Sequence, residues 1–296
     1  MSTDYSKRTS SHGFISTEPL PNVEELQKYY AETYYQSPQS STYQESYDDL
    51  EIDYKNLKCN ALIHALSALS PSACKTFLDV GAGEGFLLNA ADKQGFEVKG
   101  LDFSAYGVSK FFPHLSTKHT SGDVFESLSF LVKEGQKFDI CTSTNVLEHV
   151  LDPDIFLQTI KKLMAPKGLL AITVPNDYSD IQLLALEQKK IDREFWFVPP
   201  HHLHYFNTEN LERYMVSHGF MVVDAFSDFP VDLYLLHSGS NYIQDPSNGR
   251  EANRARMQHD VMIARGYGLD KYLDYYRAMF KVGLGRDITV IVRSMD

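Results

Sequence analysis

Three glycines that follow directly on an apolar run constrain the fold of this chain more than any other feature. The run spans residues 77–80, and Gly81, Gly83 and Gly85 alternate with other residues before a helical pattern begins. This order predicts a buried strand, a tight loop and a helix, the geometry of a nucleotide-type cofactor site at the carboxyl end of a strand. Glycine suits the loop because it carries no Cβ and lets the backbone come close to a ligand.

The spacing of the glycines separates two classes of cofactor. A dinucleotide fingerprint requires Gly-x-Gly-x-x-Gly, and Phe86 stands where its last glycine would be. The spacing instead resembles the first motif of the class I methyltransferases that depend on S-adenosylmethionine (SAM). The resemblance implies that the loop amides hold the cofactor carboxylate, and that Asp79 orders the loop or reaches the cofactor's amino group. The residues of this motif expected at the cofactor are Asp79, Gly81, Ala82, Gly83 and Gly85.

Two later segments end in side chains that the resemblance places on the nucleoside part of the cofactor. Asp102 ends the predicted second strand, where a carboxylate can accept from both ribose hydroxyls; a helix N-cap is the alternative, although Ser104 suits that role better. Phe103 packs on the adenine or ribose, or belongs to the core. The resemblance implies that Asp123 accepts from the adenine amino group and that the Val124 amide donates to the ring. An ordinary capping aspartate is the alternative for Asp123.

The segment 144–153 contains Leu-Glu-His-Val and then Asp-Pro, which is the second most specific match to the family. The resemblance implies that its first residues border the methionine moiety and the sulfonium. Asn145 and Val146 are therefore the expected backbone contacts there. In all, the resemblance covers residues 75–225, about half of the chain.

Short apolar runs alternate with helical patterns, which predicts right-handed βαβ units and a mostly parallel sheet covered on both faces. The expected fold class is α/β: a Rossmann-like, doubly wound, seven-stranded, mostly parallel sheet with an antiparallel last strand, an N-terminal helical lid and a C-terminal cap insertion. The last run alternates as Ile288, Val290 and Val292, which predicts a half-solvated edge strand. The predicted strands are 76–80, 96–101, 117–121, 137–143, 168–174, 220–226 and 286–293.

The remaining segments are expected to lie outside the minimal fold. The polar N-terminus predicts a mobile tail, and after it Tyr30 and Tyr34 share a helix face at i, i+4. Aromatic faces suit a sulfonium cation, so these tyrosines are expected to contact the cofactor. The alternative is that they pack the helix against the domain. The predicted divisions are a tail at 1–22, a helical lid at 23–70, a SAM-binding domain at 71–226 plus 285–296, and acceptor-binding caps at 176–207 and 227–284.

A histidine-rich segment follows the predicted fifth strand, where the resemblance implies the acceptor side of the cofactor. His201 or His202 is the expected base for an acceptor hydroxyl, because imidazole titrates near neutral pH; His149 is the alternative. His204 and Tyr205 are expected to contact the acceptor, and structural hydrogen bonds to loop carbonyls are the other explanation for the histidines. Their spacing would allow a metal, but the usual paired carboxylates do not stand nearby, and no metal is predicted.

Two further pairs are candidate acceptor contacts. Asn176 and Asp177 come just past the fifth strand and could position a hydroxyl, or form an Asx-type turn. Arg250 and Arg254 stand at i, i+4 after a turn and could clamp a phosphate or carboxylate. A solvated helix face is the alternative for the arginines.

Composition and net charge limit the classes of partner and the location that we expect for the protein. The chain has 296 residues, 43% of them hydrophobic, and a net charge of −11, so nucleic-acid binding is not expected. No run approaches the roughly 20 apolar residues of a membrane span. The three cysteines lack metal spacing, which favours reduced thiols in a cytoplasmic protein. The sequence is compatible with an oligomer and does not specify one.

The expected function is in-line transfer of a methyl group from SAM, with S-adenosylhomocysteine (SAH) as product. The expected acceptor is an oxygen of a small hydroxylated molecule or of a sugar or glycan intermediate, deprotonated by a histidine base. N-methylation of an amino sugar or another amine is the close alternative. A catalytically silent SAM-binding module and a nicotinamide oxidoreductase are alternatives from other classes, and Phe86 disfavours the oxidoreductase.

Overall fold

The computed structural model describes residues 4–22, 24–26, 46–70 and 74–295. The strands are β1 (Ser6–Thr9), β2 (Ile15–Glu18), β3 (Thr76–Val80), β4 (Glu97–Asp102), β5 (His119–Ser121), β6 (Phe138–Thr144), β7 (Met164–Pro175), β8 (His204–Tyr205), β9 (Phe220–Ser227) and β10 (Asp287–Ser294). The helices are α1 (Asp49–Leu69), α2 (Phe86–Lys93), α3 (Tyr106–Phe111), α4 (Val124–Lys133), α5 (Pro153–Leu163), α6 (Asp180–Glu187), α7 (Thr208–Ser217) and α8 (Asn248–Lys281). Short 3-10 turns lie at Pro113–Lys118, Leu147–His149 and Val231–Leu236.

Seven strands form one sheet in the order β5-β4-β3-β6-β7-β10-β9. The pairs among β3 to β7 are parallel, and β10 runs antiparallel to both of its neighbours, β7 and β9. The predicted Rossmann-like α/β sheet with an antiparallel last strand is thereby confirmed. Because the parallel strands end at one edge, the loops after β3, β4, β6 and β7 are collected there.

β10 is an interior strand and not the predicted edge strand. Its buried apolar side chains are Ile288, Val290, Ile291 and Val292. The polar Thr289 between them is also buried, and its hydroxyl lies 2.7 Å from the hydroxyl of Thr173 in β7. A threonine that is satisfied by a neighbouring strand looks in the sequence like a solvent-facing residue, and this explains the wrong prediction.

Helices cover both faces of the main sheet because successive side chains of each strand point to opposite sides, and both sets are apolar. In β3, Leu78 belongs to the core cluster that includes Leu128 of α4 and Leu157 of α5. Its neighbour Phe77 belongs to a second cluster, which includes Leu66 of α1. The two clusters hold the carboxyl edge of the sheet rigidly between layers of helix.

Residues 6–18 of the N-terminal segment are folded, which corrects the mobile tail predicted at 1–22. β1 and β2 form an antiparallel hairpin, and β2 also pairs with β8 in a separate three-stranded sheet. Phe14 is buried between the hairpin strands and the main domain, with its ring 4.7 Å from that of Phe206 and 5.2 Å from that of Tyr214. Long-range pairing orders this segment despite its polar composition. Tyr30 and Tyr34, the aromatic pair of the predicted lid, lie outside the described residues.

Most of the predicted cap at 227–284 belongs to α8, which packs on the main sheet. Its buried residues Met257, Leu273 and Tyr276 join the core cluster beneath α1. The helix changes direction at Gly268, whose φ of 81° and ψ of 169° are not helical. This segment completes one face of the main domain and corrects the predicted cap there. Neither α8 nor another helix in the described ranges is long and apolar enough to cross a membrane.

Replacing Phe14 by Ala should lower the free energy of unfolding by about 3 kcal/mol, because the change removes a buried ring and leaves a cavity. Phe130→Ala is the matched control, since Phe130 is 59% exposed and its loss should cost less than about 0.5 kcal/mol. Urea unfolding measures the free energy of unfolding of the wild type and of both variants. Equally small losses would contradict a folded N-terminal hairpin.

Candidate active site

The glycine loop joins β3 to α2 at the carboxyl edge of the sheet. Gly81, Gly83 and Gly85 have positive φ angles of 82°, 54° and 84°, a region that L side chains rarely adopt. A Cβ on Gly81 would lie 2.3 Å from Cγ2 of Val146, whereas a Cβ on Gly83 would meet no atom of the described chain within 4 Å. The loop therefore packs tightly against the segment after β6 and leaves open space above Gly83 that suits a cofactor.

Asp102, at the end of β4, ties this loop to the neighbouring strand. One of its carboxylate oxygens accepts a hydrogen bond from the Gly83 amide and the other from the Ser104 amide, both at 2.9 Å. The Ala82 amide donates to the carbonyl of Leu101 at 2.9 Å. Asp102 thus lies at the strand end where the resemblance requires a ribose-binding carboxylate, and the ribose contact stays a prediction. Its hold on the loop is a second role that the sequence did not indicate.

Asp79 lies buried beneath the glycine loop, with 2% of its surface exposed. The hydroxyl of Thr142 donates to its carboxylate at 2.8 Å. Burial raises the pKa of Asp79 to about 7, and the nearby charge of Asp102 adds to the shift, although the hydrogen bond from Thr142 opposes it. A cation bound beside Asp79 would favour its ionised form, so the position suits the ammonium of the predicted cofactor.

A cavity of about 350 Å³ opens beside the glycine loop, and we call it the loop cavity. Its walls come from the loop, from the first half of α1, and from the ends of β6, β9 and β10. Apolar side chains such as Leu62 and Phe226 share these walls with charged ones. The charged residues that line it are Lys55, Lys58, Asp79, Glu84, Asp228 and Asp287.

The two lysines of α1 bind carboxylates on the wall of the loop cavity. Lys55 Nζ lies 2.8 Å from Glu84 Oε2, and Lys58 Nζ lies 3.1 Å from both Asp228 Oδ2 and Asp287 Oδ2. Sequence analysis missed this set, because its members come from four separate segments. The available signal was the i, i+3 spacing of the lysines on one helix face.

Tyr47 supplies an aromatic ring beside the glycine loop. Its hydroxyl donates to Glu84, its ring lies 5.5 Å from that of Phe111, and Lys55 Nζ lies 4.4 Å from the ring centroid. The sequence pattern indicated aromatic residues near the cofactor but pointed to earlier tyrosines. Tyr47 is a described tyrosine that reaches the loop.

The structure places Asn145 and Val146 beside the glycine loop, and their backbone contacts with the cofactor stay a prediction. Asn145 adopts a left-handed φ of 53°, its amide donates to the carbonyl of Thr173 at 2.9 Å, and it lines the loop cavity. Val146 stands over Gly81. The turn after β6 is thus shaped to border whatever occupies the cavity.

The residues predicted for adenine lie at the starts of two helices. Asp123 accepts from the amides of Phe125 and Glu126 at 2.8 and 3.0 Å, so it caps α4. The Val124 side chain is buried in the core, and Phe103 is 45% exposed and hence outside it. Capping was the alternative for Asp123, and the adenine contacts of all three residues stay predictions.

His149, His201 and His202 form a compact imidazole cluster past the ends of β6 and β7. The ring of His149 lies 5.0 Å from that of His201 and 4.8 Å from that of His202, and the latter two stack at 4.7 Å. Burial lowers the pKa of His149 to about 3, with His201 adding to the shift, and lowers that of His202 well below its usual value. Burial also lowers the pKa of His201. All three rings are therefore neutral near pH 7.

Glu148, beside this cluster, is a residue that sequence analysis did not select. It is 1% exposed, and neither of its carboxylate oxygens has a hydrogen-bond partner among the described residues. Burial raises its pKa well above the usual value, and the charges of Asp287 and Asp177 add to that shift. A buried carboxylate without hydrogen-bond partners lowers the stability of the fold. Its position at the carboxyl edge of the sheet therefore marks Glu148 as a candidate ligand-binding residue.

His204 and Tyr205 are structural, which corrects their predicted contact with the acceptor. His204 Nε2 lies 3.0 Å from the carbonyl oxygen of Val150, and its Nδ1 lies 2.9 Å from the hydroxyl of Ser16. The Tyr205 hydroxyl donates to the carbonyl of His202 at 2.8 Å. Both side chains are buried because β8 docks against the N-terminal hairpin. That pairing could not be read from local spacing.

Asn176 and Asp177 also hold the fold together. The Asn176 side chain donates to the carbonyls of Gly283 and Gly285, both at 3.0 Å, and Asp177 pairs with Arg286 at 2.8 Å. Both are buried. They fix the segment after β7 to the start of β10, and this corrects the prediction that they position an acceptor.

The predicted arginine clamp is likewise corrected. Arg254 pairs with Asp48, the N-cap residue of α1, and Arg250 is exposed. As far as the described residues define it, the loop cavity is lined by neither. Arg256 faces it more closely, because its guanidinium carbon lies 5.5 Å from the ring centroid of the cavity residue Tyr54. The run of arginines therefore divides between two faces of one helix.

A protein family described as a methyltransferase domain matches residues 53–225. That match covers more than half of the sequence and includes the glycine loop, Asp102 and His149. The chain belongs to this family. The resemblance drawn from the motifs is confirmed as far as the methyltransferase domain.

Curated relatives of this methyltransferase include ubiquinone biosynthesis O-methyltransferases. The protein from Chelativorans sp. (strain BNC1) is 33% identical over 112 residues, which are 36% of this chain and 44% of the relative. The protein from Caulobacter vibrioides is 31% identical over 136 residues, which are 45% of this chain and 53% of the relative. This methyltransferase thus spans about half the length of the curated relatives that it matches.

Solved structures show the same fold. A SAM-dependent methyltransferase from Archaeoglobus fulgidus superposes with a TM-score of 0.50 at 18% identity, over 81% of this chain and 94% of that one. The plantazolicin methyltransferase BpumL, in complex with SAH, superposes with a TM-score of 0.52 at 13% identity, over 92% of this chain and 98% of that one. At these identities the likeness concerns the fold alone.

Replacing Gly83 by Val should lower the affinity for SAM by more than about tenfold, because the new side chain would fill the space above the loop. Gly135→Val is the matched control: it also has positive φ, of 65°, and an added Cβ there would meet no described atom within 4 Å. Both changes impose similar backbone strain, and only the first lies in the glycine loop, between Ala82 and Glu84, which line the loop cavity. Calorimetric titration with SAM, together with urea unfolding, compares them. Equal affinities would contradict the placement of the cofactor.

Asp79→Asn should change the pH dependence of folding. Asp79 keeps its proton up to about pH 7 in the folded protein but only up to about pH 4 in the unfolded chain. The wild type therefore loses stability between about pH 4 and pH 7, by on the order of 1–4 kcal/mol relative to the variant. Urea unfolding at pH 4.5, 6 and 8 measures this, with Asp192→Asn as an exposed control. A stability difference that stays constant with pH would contradict the raised pKa.

Proposed function

We propose that this methyltransferase moves the methyl group of SAM to an oxygen atom of a small hydroxylated molecule and releases SAH. The observation that carries the proposal is the imidazole cluster with the buried Glu148. It lies two residues past Val146, at the same sheet edge as the glycine loop. Methylation of a hydroxyl requires loss of a proton, and neutral polar groups at the acceptor side serve that need. N-methylation of an amine depends on positioning more than on a strong base, because the neutral amine already carries a lone pair.

The loop cavity supports the same proposal. Its floor carries the predicted SAM contacts, and its apolar residues Leu62, Phe86 and Phe226 offer a surface for the carbon skeleton of an acceptor. Methyl transfer is an in-line displacement that depends on alignment and on exclusion of water. The O-methyltransferase names of the curated relatives agree with an oxygen acceptor.

The role of the individual histidines stays a prediction. His149 and His202 are neutral at pH 7 but weakly basic, because burial holds their pKa values far below that of free imidazole. A base is most effective when its pKa lies near the working pH. We propose that the cluster contacts the acceptor hydroxyl, with His201 as the candidate base among the three.

An acceptor panel tests the proposal. The purified protein is incubated with SAM and with phenols, vicinal diols, a hexose glycoside and an amino sugar, and SAH and methylated product are measured by mass spectrometry. O-methylation of a phenol or a diol is the expected result, and a methylated hexose would place the acceptor among sugars. N-methylation of the amino sugar as the only product would overturn the proposal. SAM binding without any turnover on the panel would favour a silent binding module.

His201→Ala should lower kcat by about 10²–10⁴, the usual range for loss of a group that assists proton transfer. The affinity for SAM should stay within a factor of about two, because the predicted cofactor contacts lie on other strand ends. His64→Ala is the control, since His64 pairs with Asp270 at the surface. Steady-state rates and calorimetry decide the outcome. An undiminished kcat would assign the cluster a structural role.

A further inference from the structure

We propose that His149, His201, His202 and Glu148 form a binding site for one divalent transition-metal cation. Each histidine offers a ring nitrogen, and these nitrogens all lie within 4.8 Å of one another. The sequence spacing had suggested His204 as a third ligand, but its two nitrogens face Val150 and Ser16. The turn after β6 brings His149 into that place.

The orientation of His149 suits a metal ligand. Its Nδ1 lies 2.5 Å from the carbonyl oxygen of His201, and because a carbonyl can only accept, Nδ1 carries the hydrogen. This tautomer places the lone pair on Nε2. Histidines that bind metals commonly donate their other ring N–H to a backbone carbonyl in this way. The bond also fixes the ring, so Nε2 has a defined direction.

Glu148 lies next to His149 but outside the group of three histidines whose ligand atoms are within 4.8 Å of one another. Its Oε1 lies 3.7 Å from Nε2 of His149, which is too long for a hydrogen bond. Two ligand atoms about 2.1 Å from one tetrahedral zinc ion are about 3.4 Å apart. A small movement would therefore let Nε2 and Oε1 share one cation.

Two buried polar groups at this place have no partner in the described residues, and a cation would satisfy both. They are the carboxylate of Glu148, which is 1% exposed, and Nδ1 of His202. Arg286, the nearby cation, pairs with Asp177. Burying an unpaired carboxylate or a bare imidazole nitrogen costs free energy. Metal coordination removes that cost for both groups at once.

The chemistry of the donors selects the class of metal. Imidazole nitrogens with one carboxylate suit zinc, cobalt, nickel and iron(II), whereas magnesium and calcium prefer sites made of oxygen. Any role of the cation in catalysis rests on the proposed O-methylation, whereas the binding site itself does not. When the cation is bound, His201 is its ligand and not a base, and the cation assists the loss of the proton instead. A hydroxyl bound to it would have a lowered pKa and would release its proton to solvent. Its oxygen then forms the new bond to carbon as the bond between sulfur and the methyl carbon breaks, which yields SAH.

Metal titration of the full chain tests the site without any acceptor. The protein is treated with a chelator, dialysed, and titrated with Zn²⁺ by calorimetry and with Co²⁺ by visible absorption, which reports nitrogen ligation. We expect one ion per chain. Glu148→Gln and His149→Ala should each weaken binding by at least about 10–100-fold, and the surface variant His64→Ala should bind as the wild type does. Mg²⁺ should not displace Zn²⁺.

The outcomes separate this site from the proposed function. No stoichiometric binding of Zn²⁺ or Co²⁺ to the wild type would overturn the site, and this result needs no variant to fold. Equal binding by wild type and Glu148→Gln would overturn it as well. Without metal, Glu148→Gln should unfold at higher urea than the wild type, because it removes a buried carboxyl group without partners. The acceptor panel is a separate assay, so a failure of O-methylation leaves a measured metal affinity standing.

Discussion

The carboxylate of Asp102 is the contact on which the rest of the site depends. It holds the Gly83 amide on one side and the Ser104 amide on the other, so it joins the ends of β3 and β4 to the glycine loop. Positive φ angles keep the backbone of that loop flat enough for Val146 to pack on Gly81. The Gly81 and Ala82 amides, which donate to the carbonyl of Leu101 at 2.8 and 2.9 Å, hold the loop on the same strand end. One side chain thus fixes the glycine loop to the segment that follows β4.

Several ionisable side chains near Asp102 are buried, and burial disfavours their charged forms. Asp79 and Glu148 are buried, and their pKa values rise because of it. Lys58 is instead shared by Asp228 and Asp287. Such arrangements weaken folding locally and are typical of sites that bind charged or reactive ligands. The paired charges stabilise the cavity wall, and the unpaired ones mark where a ligand or cation contributes.

The residues that line the loop cavity lie partly inside and partly outside the segment that matches the family. The glycine loop, Asp102 and the turn at Asn145 lie inside residues 53–225, which match the methyltransferase domain. Asp228 and Asp287, which complete the cavity, lie outside that range. A shared fold positions the methyl donor but does not determine the acceptor.

Local sequence determined the sheet, its parallel order and the glycine loop, because strand periodicity and glycine spacing act over a few residues. It also indicated Asp79, Asp102 and Asn145, which lie in or just past the ends of predicted strands. Only the tertiary structure decided which histidines meet: His204 turns to the N-terminal hairpin, and His149 joins His201 across 52 positions. It likewise placed β10 inside the sheet and Lys58 between two distant carboxylates. These contacts join segments far apart in the chain, and no local pattern encodes which distant residue completes a polar group's hydrogen bonds.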